Sequence, residues 1–303
     1  MYSNLLAMLC IGLTLTYITT SVPNFAQGSF AVFGSYMSLT FLRLFSVHPY
    51  QSIPVVFFLG GVLGILVYLL ILKPLIKKGA SVVILMITTL ALDLILLGFI
   101  GAYSEFLRNI TGKPSAKFIF TPHDFTFNGL SGVLFVSTFL ITAILIFLSI
   151  LLYKTKFGIA LRASMEKPFL AEVMGIDVEK MRIFSWFLSG SFAALSGCLL
   201  PFRQEIVPAT GSIIIVSIFA ASIVGGIYSL AGAVVGAYLI GFSETLLTFH
   251  LSNLFGVSVL LYSRVISLVI LSLTLLLAPR GLTEVKFRWK FFSALRSGSD
   301  YTR

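Results

Sequence analysis

Three ionisable side chains lie inside long apolar segments, where an unpaired charge is unfavourable. Asp93, Glu244 and Arg264 are each flanked by residues suited to lipid, and ionisable groups in such places commonly serve transport or pair with one another. Structural roles stay open: Asp93 can bond to a neighbouring hydroxyl group, and Arg264 can extend its guanidinium to the lipid headgroups. No Ser/His pair, carboxylate pair or cluster of metal ligands accompanies them, so the sequence predicts no catalytic residues and no metal site.

Two segments place proline, glycine and serine at the start of an apolar helix. PNFAQGSFAVFGSY (23–36) and PATGSIIIVSIFAASIVGG (208–226) both read proline, a few residues, Gly-Ser and then an apolar run. A helix that begins inside a membrane offers free N–H groups to a carboxylate, although the serines can instead cap their own helices, the commoner role. The candidates for a substrate pathway at these breaks are Asn24, Gln27, Gly28, Ser29, Gly211 and Ser212.

The densely charged stretch 154–182 separates two apolar helices and carries six basic and four acidic residues. Within it, Pro168 and Gly175 bracket a short segment in the order expected for a helix start and a helix end. A conspicuous polar loop with its own short helix is typical of a docking element rather than of a linker.

The composition identifies the element that must position these groups as the membrane-spanning helix. Hydrophobic residues make up 58% of the chain and charged residues 11%, with a mean hydropathy of +1.04. A soluble domain carries about 25% charged residues. No segment alternates as a barrel strand would, so we expect an all-α polytopic bundle of eight or nine transmembrane helices in a single transmembrane domain, 1–303. The predicted helices are 4–20, 29–42, 53–72, 81–101, 132–153, 183–200, 211–227, 230–248 and 257–277, the second being short and open to interruption.

The distribution of basic residues predicts the orientation. The turn at 73–78, the loop 154–182 and a tail at 280–303 hold 15 of the 21 Lys and Arg residues, and parity puts all three on one side, which is therefore cytoplasmic. The net charge of +10 reflects orientation and attraction to the lipid bilayer, not nucleic-acid binding. In this topology the two interrupted helices run in opposite directions, which is typical of an inverted repeat, and two unrelated Pro-Gly breaks are the alternative.

These pieces together resemble the permease subunit of the branched-chain amino acid family of ABC importers, and in particular the first of its two paired permeases. The resemblance runs from about residue 5 to 282. It rests on PNFAQGSFAVFGSY, TKFGIALRASMEKPFLAEVMGI, SGSFAALSGCLLP, GSIIIVSIFAASIVGGIYSLAGAVVGAYLIG and the closing APRGL. It implies a multi-pass protein of the cell membrane that moves branched-chain or related amino acids by alternating access.

The resemblance also implies partners: ATP-binding subunits, a second homologous permease and an extracytoplasmic solute-binding protein. The chain has no Walker A motif, so ATP is expected on a partner chain and no cofactor on this one. In the family, a cytoplasmic coupling helix docks into a cleft of the ATPase. The resemblance implies that Ala171 of this chain lies against that cleft. The coupling residues expected here are Arg162, Ala163, Pro168, Ala171, Gly175 and Ile176. The acidic residue and paired alanines usual in the family are not clear here, where Phe169 and Leu170 stand.

Two alternatives remain open at this stage. A permease for urea or short amides would share the architecture. A stand-alone secondary transporter would lack a docking loop and would more often carry an intramembrane ion or proton site. An intramembrane enzyme is excluded by the missing catalytic constellation.

The orientation can be tested by thiol labelling of intact cells. In a background without Cys10 and Cys198, single cysteines at Lys78 and Lys167 should resist an impermeant reagent, and one at Lys113 should react, because only the last faces outward. Strong labelling at 167 would contradict both the orientation and the docking role.

Overall fold

The computed structural model describes residues 1–127, 129–255, 263–278 and 281–282. Its first five helices and a short β-hairpin (β1, Thr126–Phe127; β2, Leu130–Ser131) cover the amino-terminal half. These helices are α1 (Tyr2–Thr20), α2 (Gln27–Leu44), α3 (Ile53–Lys77), α4 (Val82–Thr111) and α5 (Gly132–Lys154).

The carboxy-terminal half begins with the charged stretch and ends in three apolar helices. Its helices are α6 (Lys156–Glu166), α7 (Pro168–Val173), α8 (Val178–Leu199), α9 (Thr210–Gly225), α10 (Leu230–Phe255) and α11 (Ser263–Leu277). Six helices of the described residues are long and apolar enough to cross a membrane, and α9 and α11 are shorter apolar helices. The all-α polytopic class is confirmed, with a helix at each of the nine predicted places.

Several helix ends differ from the prediction. α4 continues ten residues beyond the predicted end to a left-handed cap at Gly112, supported by a Glu105–Arg108 ion pair. α8 begins five residues early because the Asp177 side chain accepts a hydrogen bond from the Lys180 amide, a bond that also lowers the pKa of Asp177. The amphipathic helix α6 was not predicted. Most of the predicted tail, 280–303, and the start of the ninth predicted helix at 257–262 lie outside the described residues.

Contacts at the two ends of the bundle agree with the predicted topology. Lys73 pairs with Glu179, and Arg182 donates to the Thr19 carbonyl at 3.3 Å, which joins elements assigned to the cytoplasmic side. At the other end, Arg43 donates to the Pro114 carbonyl at 2.7 Å. Segments expected on the same side of a membrane are therefore neighbours in the structure.

The centre of the bundle is α8, which α1, α2 and α3 surround. Small residues let the backbones come close, as expected where lipid offers no hydrophobic force between helices. A Cβ atom on Gly197 would lie 1.7 Å from the Ala31 carbonyl oxygen of α2, and one on Gly190 would lie 2.2 Å from the Gly60 carbonyl oxygen of α3.

α3 follows α8 over its whole length. Gly64 lies against the Trp186 backbone, and a π-helical turn, Tyr68–Leu72, comes next. The buried Tyr68 ring stacks on Trp186 with centroids 6.1 Å apart. Lys73, directly after this turn, reaches Glu179 at the start of α8.

The glycine contacts predict a sharp contrast between two identical substitutions. Gly197→Ala should lower the free energy of unfolding by roughly 1–3 kcal/mol, because the added methyl meets the backbone of α2. The control is Gly98→Ala in α4, where a Cβ meets open space, so the change should be neutral or slightly stabilising through helix propensity. Thermal unfolding of the purified proteins in detergent measures both, and equal melting temperatures would contradict the packing.

Candidate functional site

The two interrupted helices meet at their first residues. A Cβ atom on Gly28, the second residue of α2, would lie 2.1 Å from the Gly211 carbonyl oxygen, so the backbones are in direct contact. The far end of α2 reaches the outer loop through Arg43, whereas α9 ends near Tyr228, which bonds to Tyr17 of α1 at 3.1 Å. The two helices therefore run in opposite directions from one crossing point, as predicted, while the repeat itself stays a prediction.

Asp93 of α4 joins the two helix starts. Its Oδ1 accepts a hydrogen bond from the Ser29 hydroxyl at 2.5 Å, and its Oδ2 accepts one from the Ser212 hydroxyl at 2.8 Å. The expectation that these serines cap their own helices is wrong: neither α2 nor α9 has a side-chain cap bond. The hydroxyls turn to the carboxylate because it is buried and offers a charge-assisted bond to each.

Asn24 and Gln27 form a second polar cluster beside this crossing. The Asn24 amide donates to Gln27 Oε1 at 3.0 Å, and Gln27 Oε1 also accepts from the Ser189 hydroxyl of α8 at 3.1 Å. Gln27 Nε2 donates to the Leu9 carbonyl at 3.4 Å. Both side chains are fully buried. In this conformation the predicted pathway residues hold helices together, and a solute would reach them only after those helices move.

Glu244 and Arg264 form an ion pair in which Glu244 is buried and the Arg264 side chain is 20% exposed. The same carboxylate accepts hydrogen bonds from Ser217 at 2.9 Å and Ser267 at 2.7 Å, and Tyr2 of α1 donates to it at 3.3 Å. Arg264 therefore does not extend to the lipid headgroups, because its guanidinium pairs with the buried Glu244 carboxylate. The sequence identified both residues as ionisable groups within apolar segments. Their pairing could not be predicted because it depends on how α10 and α11 pack.

The charged stretch, on the side predicted to be cytoplasmic, folds into two short helices. α6 is capped by Thr155, whose hydroxyl accepts a hydrogen bond from the Gly158 amide at 2.9 Å, and the helix buries Leu161 against the chain. Arg162 lies over the Tyr153 ring at 4.9 Å, and its neighbour Ala163 is half-buried.

α7 follows α6 after Lys167, with Pro168 at its first position as predicted. It packs against α6 and the start of α8. Gly175 adopts a left-handed φ of 83°, which turns the chain towards the half-buried Ile176 and α8, as its place after the helix indicated.

The orientation of α7 corrects one prediction. Ala171, expected to face an ATPase cleft, is only 4% exposed and faces its own chain. The other residues of α7 and its C-cap Met174 present four large apolar side chains that are between 52% and 81% exposed: Phe169, Leu170, Val173 and Met174. Because a small residue suits a close contact within the chain equally well, the sequence alone did not show which face points outward.

A cavity of about 310 Å³ opens near the end of α2, on the side predicted to face outward. Arg43, Lys113 and His123 contribute polar groups to its wall, and Phe118 and Phe120 contribute aromatic ones. None of the predicted pathway residues lines it.

The ion pair generates a stability prediction. Glu244→Ala leaves the Arg264 guanidinium without its partner in a mostly buried place, so we expect a loss of about 3–5 kcal/mol. The double variant Glu244→Leu/Arg264→Met should recover most of it, because both charges are then gone. Unfolding of the variants in detergent measures the effect, and a double variant no more stable than the single one would contradict the pairing.

Comparisons with known proteins identify the family. The profile described as branched-chain amino acid transport system / permease component matches residues 1–278. Over 298 residues the chain is 61% identical to the probable branched-chain amino acid transport permease protein LivH of Methanocaldococcus jannaschii, covering 98% of this chain and 94% of that protein.

More distant relatives cover nearly the same length. The high-affinity branched-chain amino acid transport system permease protein BraD of Pseudomonas aeruginosa is 24% identical, and LivH of Escherichia coli is 25% identical, each with 91% of this chain and 90% of the relative covered. No solved structure matches the chain. The profile and the 61% identical relative show that this multi-pass protein of the cell membrane belongs to the family of branched-chain amino acid transport permeases.

Proposed function

We propose that this chain is the membrane-spanning subunit of an ATP-driven importer for branched-chain amino acids. The substrate class comes from the relatives, whose names specify branched-chain amino acid transport. The relative at 61% identity aligns over almost the entire chain, which supports the same substrate class here. This support favours branched-chain amino acids over urea or short amides.

The observation that carries the coupling proposal is the exposed apolar face of α7. Phe169, Leu170, Val173 and Met174 project from a stretch that is otherwise highly charged. Exposed apolar groups on a six-residue helix outside the bilayer are unfavourable in water and mark a protein contact. ATP-binding subunits operate in the cytoplasm, and the positive-inside rule puts this face there. A stand-alone transporter would have no use for such a face.

Movement of α7 would be transmitted through α8. The two are joined by only four residues, and Asp177, capping α8, is one of them. α8 contacts α1, α2 and α3 along the bundle, and its Ser189 bonds to Gln27 beside the crossing of the interrupted helices. ATP-driven closure of the partners would thus reach the crossing through one continuous helix. ATP binds on the partners, a second homologous permease completes the pathway, and a solute-binding protein delivers the amino acid from outside.

The coupling proposal is tested by placing a charge on the outer face of α7. Phe169→Asp and Met174→Asp should leave the isolated permease as stable as the wild type, because both side chains are exposed. Both should lose the ATPase subunit on purification, because each places an unpaired charge in an apolar contact. Co-purification and substrate-stimulated ATP hydrolysis provide the measurements.

The matched control is Ile159→Asp in α6. Ile159 is also an exposed apolar residue on the cytoplasmic side, so the same charge there should retain the ATPase. Ala171→Arg should destabilise the permease itself, because Ala171 is buried in its own chain. Wild-type ATPase association in both α7 variants would overturn the coupling assignment and favour the secondary transporter.

A further inference from the structure

The crossing of α2 and α9 brings two like electrostatic poles together. Each helix carries the equivalent of roughly half a positive charge at its N-terminus, and the two N-termini are in backbone contact at Gly28 and Gly211. Like poles repel, and little water reaches this place to screen them. A negative group bonded to both ends would offset this repulsion.

The Asp93 carboxylate supplies this compensation from a third helix. It lies about 16 Å along α4 from its cytoplasmic end, at 1.5 Å per residue, so it is well inside the membrane. One oxygen accepts from Ser29 and the other from Ser212, the third residue of each helix. A single negative charge thus balances two half-charges and bonds to both helix starts.

We propose that Asp93 is a positioning residue for transport: its carboxylate holds the N-terminal ends of α2 and α9 together, and these ends separate when the permease changes the side to which its pathway opens. The inference rests on the proposed alternating-access function. Asp93 meets no solute in this role, and it acts through the two helices. The two helix starts are the places that a solute carboxylate could otherwise occupy, so the same carboxylate keeps them closed in the resting state.

The first test removes the charge and keeps the shape. An Asp93→Asn amide can still bond to both serines, so the complex should unfold at the wild-type temperature. Basal ATP hydrolysis should rise, because the repelling ends separate without substrate. The ratio of substrate-stimulated to basal hydrolysis should fall about tenfold, the difference between charge-assisted and neutral hydrogen bonds. Asp93→Glu, which keeps the charge, should restore much of this ratio.

The control on the same helix is Thr88→Val. Among the described residues, the Thr88 hydroxyl bonds only to its own helix, at the Ile84 carbonyl, and its loss should leave both stability and the hydrolysis ratio unchanged. A purely structural role for Asp93 would lower the melting temperature and leave the ratio per folded complex unchanged. Either that outcome or a fully wild-type Asp93→Asn complex would overturn the proposal.

A second test asks whether the helix ends separate. Ser29→Cys and Ser212→Cys, combined in a background without Cys10 and Cys198, should form a disulfide on oxidation. The bridged complex should lose transport. A reductant should restore transport to the level of the single-cysteine variants. Full transport by the bridged complex would refute the separation. If branched-chain amino acids are not the substrate, the result differs from failure of the Asp93 proposal. The unmodified complex would then hydrolyse ATP without stimulation by branched-chain amino acids.

Discussion

Backbone contact at glycine is the constraint on which the bundle depends. In lipid, apolar side chains gain little by meeting one another, so helices associate where small residues let their backbones approach. α8 makes such contacts with α2 at Gly197 and with α3 at Gly190. α2 and α9 make the same kind of backbone contact where they cross, between the first turns of the two helices at Gly28 and Gly211. An added methyl group at such a contact is destabilising, and the contacts fix each neighbour's position along α8.

Charge inside the bundle is handled by internal pairing. Glu244 meets Arg264 and several hydroxyl groups, and Asp93 meets two hydroxyl groups and two helix ends. In each case the carboxylate links helices that are distant in sequence. The cost of burying a charge is thereby offset by bonds that also specify how helices dock. These bonds are sensitive to a shift of one helix relative to the next, which suits the alternating-access mechanism proposed above.

Local signals in the sequence predicted the helices and several of their ends, because apolar runs, Pro168 and Gly175 act on their own neighbours. What the sequence did not predict depends on tertiary packing. α6 was not predicted because its segment is rich in charged residues, although Gly158, Leu161 and Ser164 lie on one buried face. The inward face of α7 could not be read because Ala171 fits either a partner or its own chain. The positions of Ser29 and Ser212 suggested helix capping. Their hydroxyls instead donate to the Asp93 carboxylate, which is more than 60 residues from either serine in the sequence.

The π-helical turn of α3 changes the rotational phase of the helix. Gly64 and Lys73 are nine residues apart, which in a regular α-helix is 2.5 turns and puts them on opposite faces. The wider turn at Tyr68–Leu72 takes up one extra residue, so the pair behaves as if eight residues, or about 2.2 turns, separated it. Gly64 can then lie against Trp186 while Lys73 reaches Glu179. One inserted residue thus lets α3 follow the same neighbour from the bilayer interior to the aqueous surface.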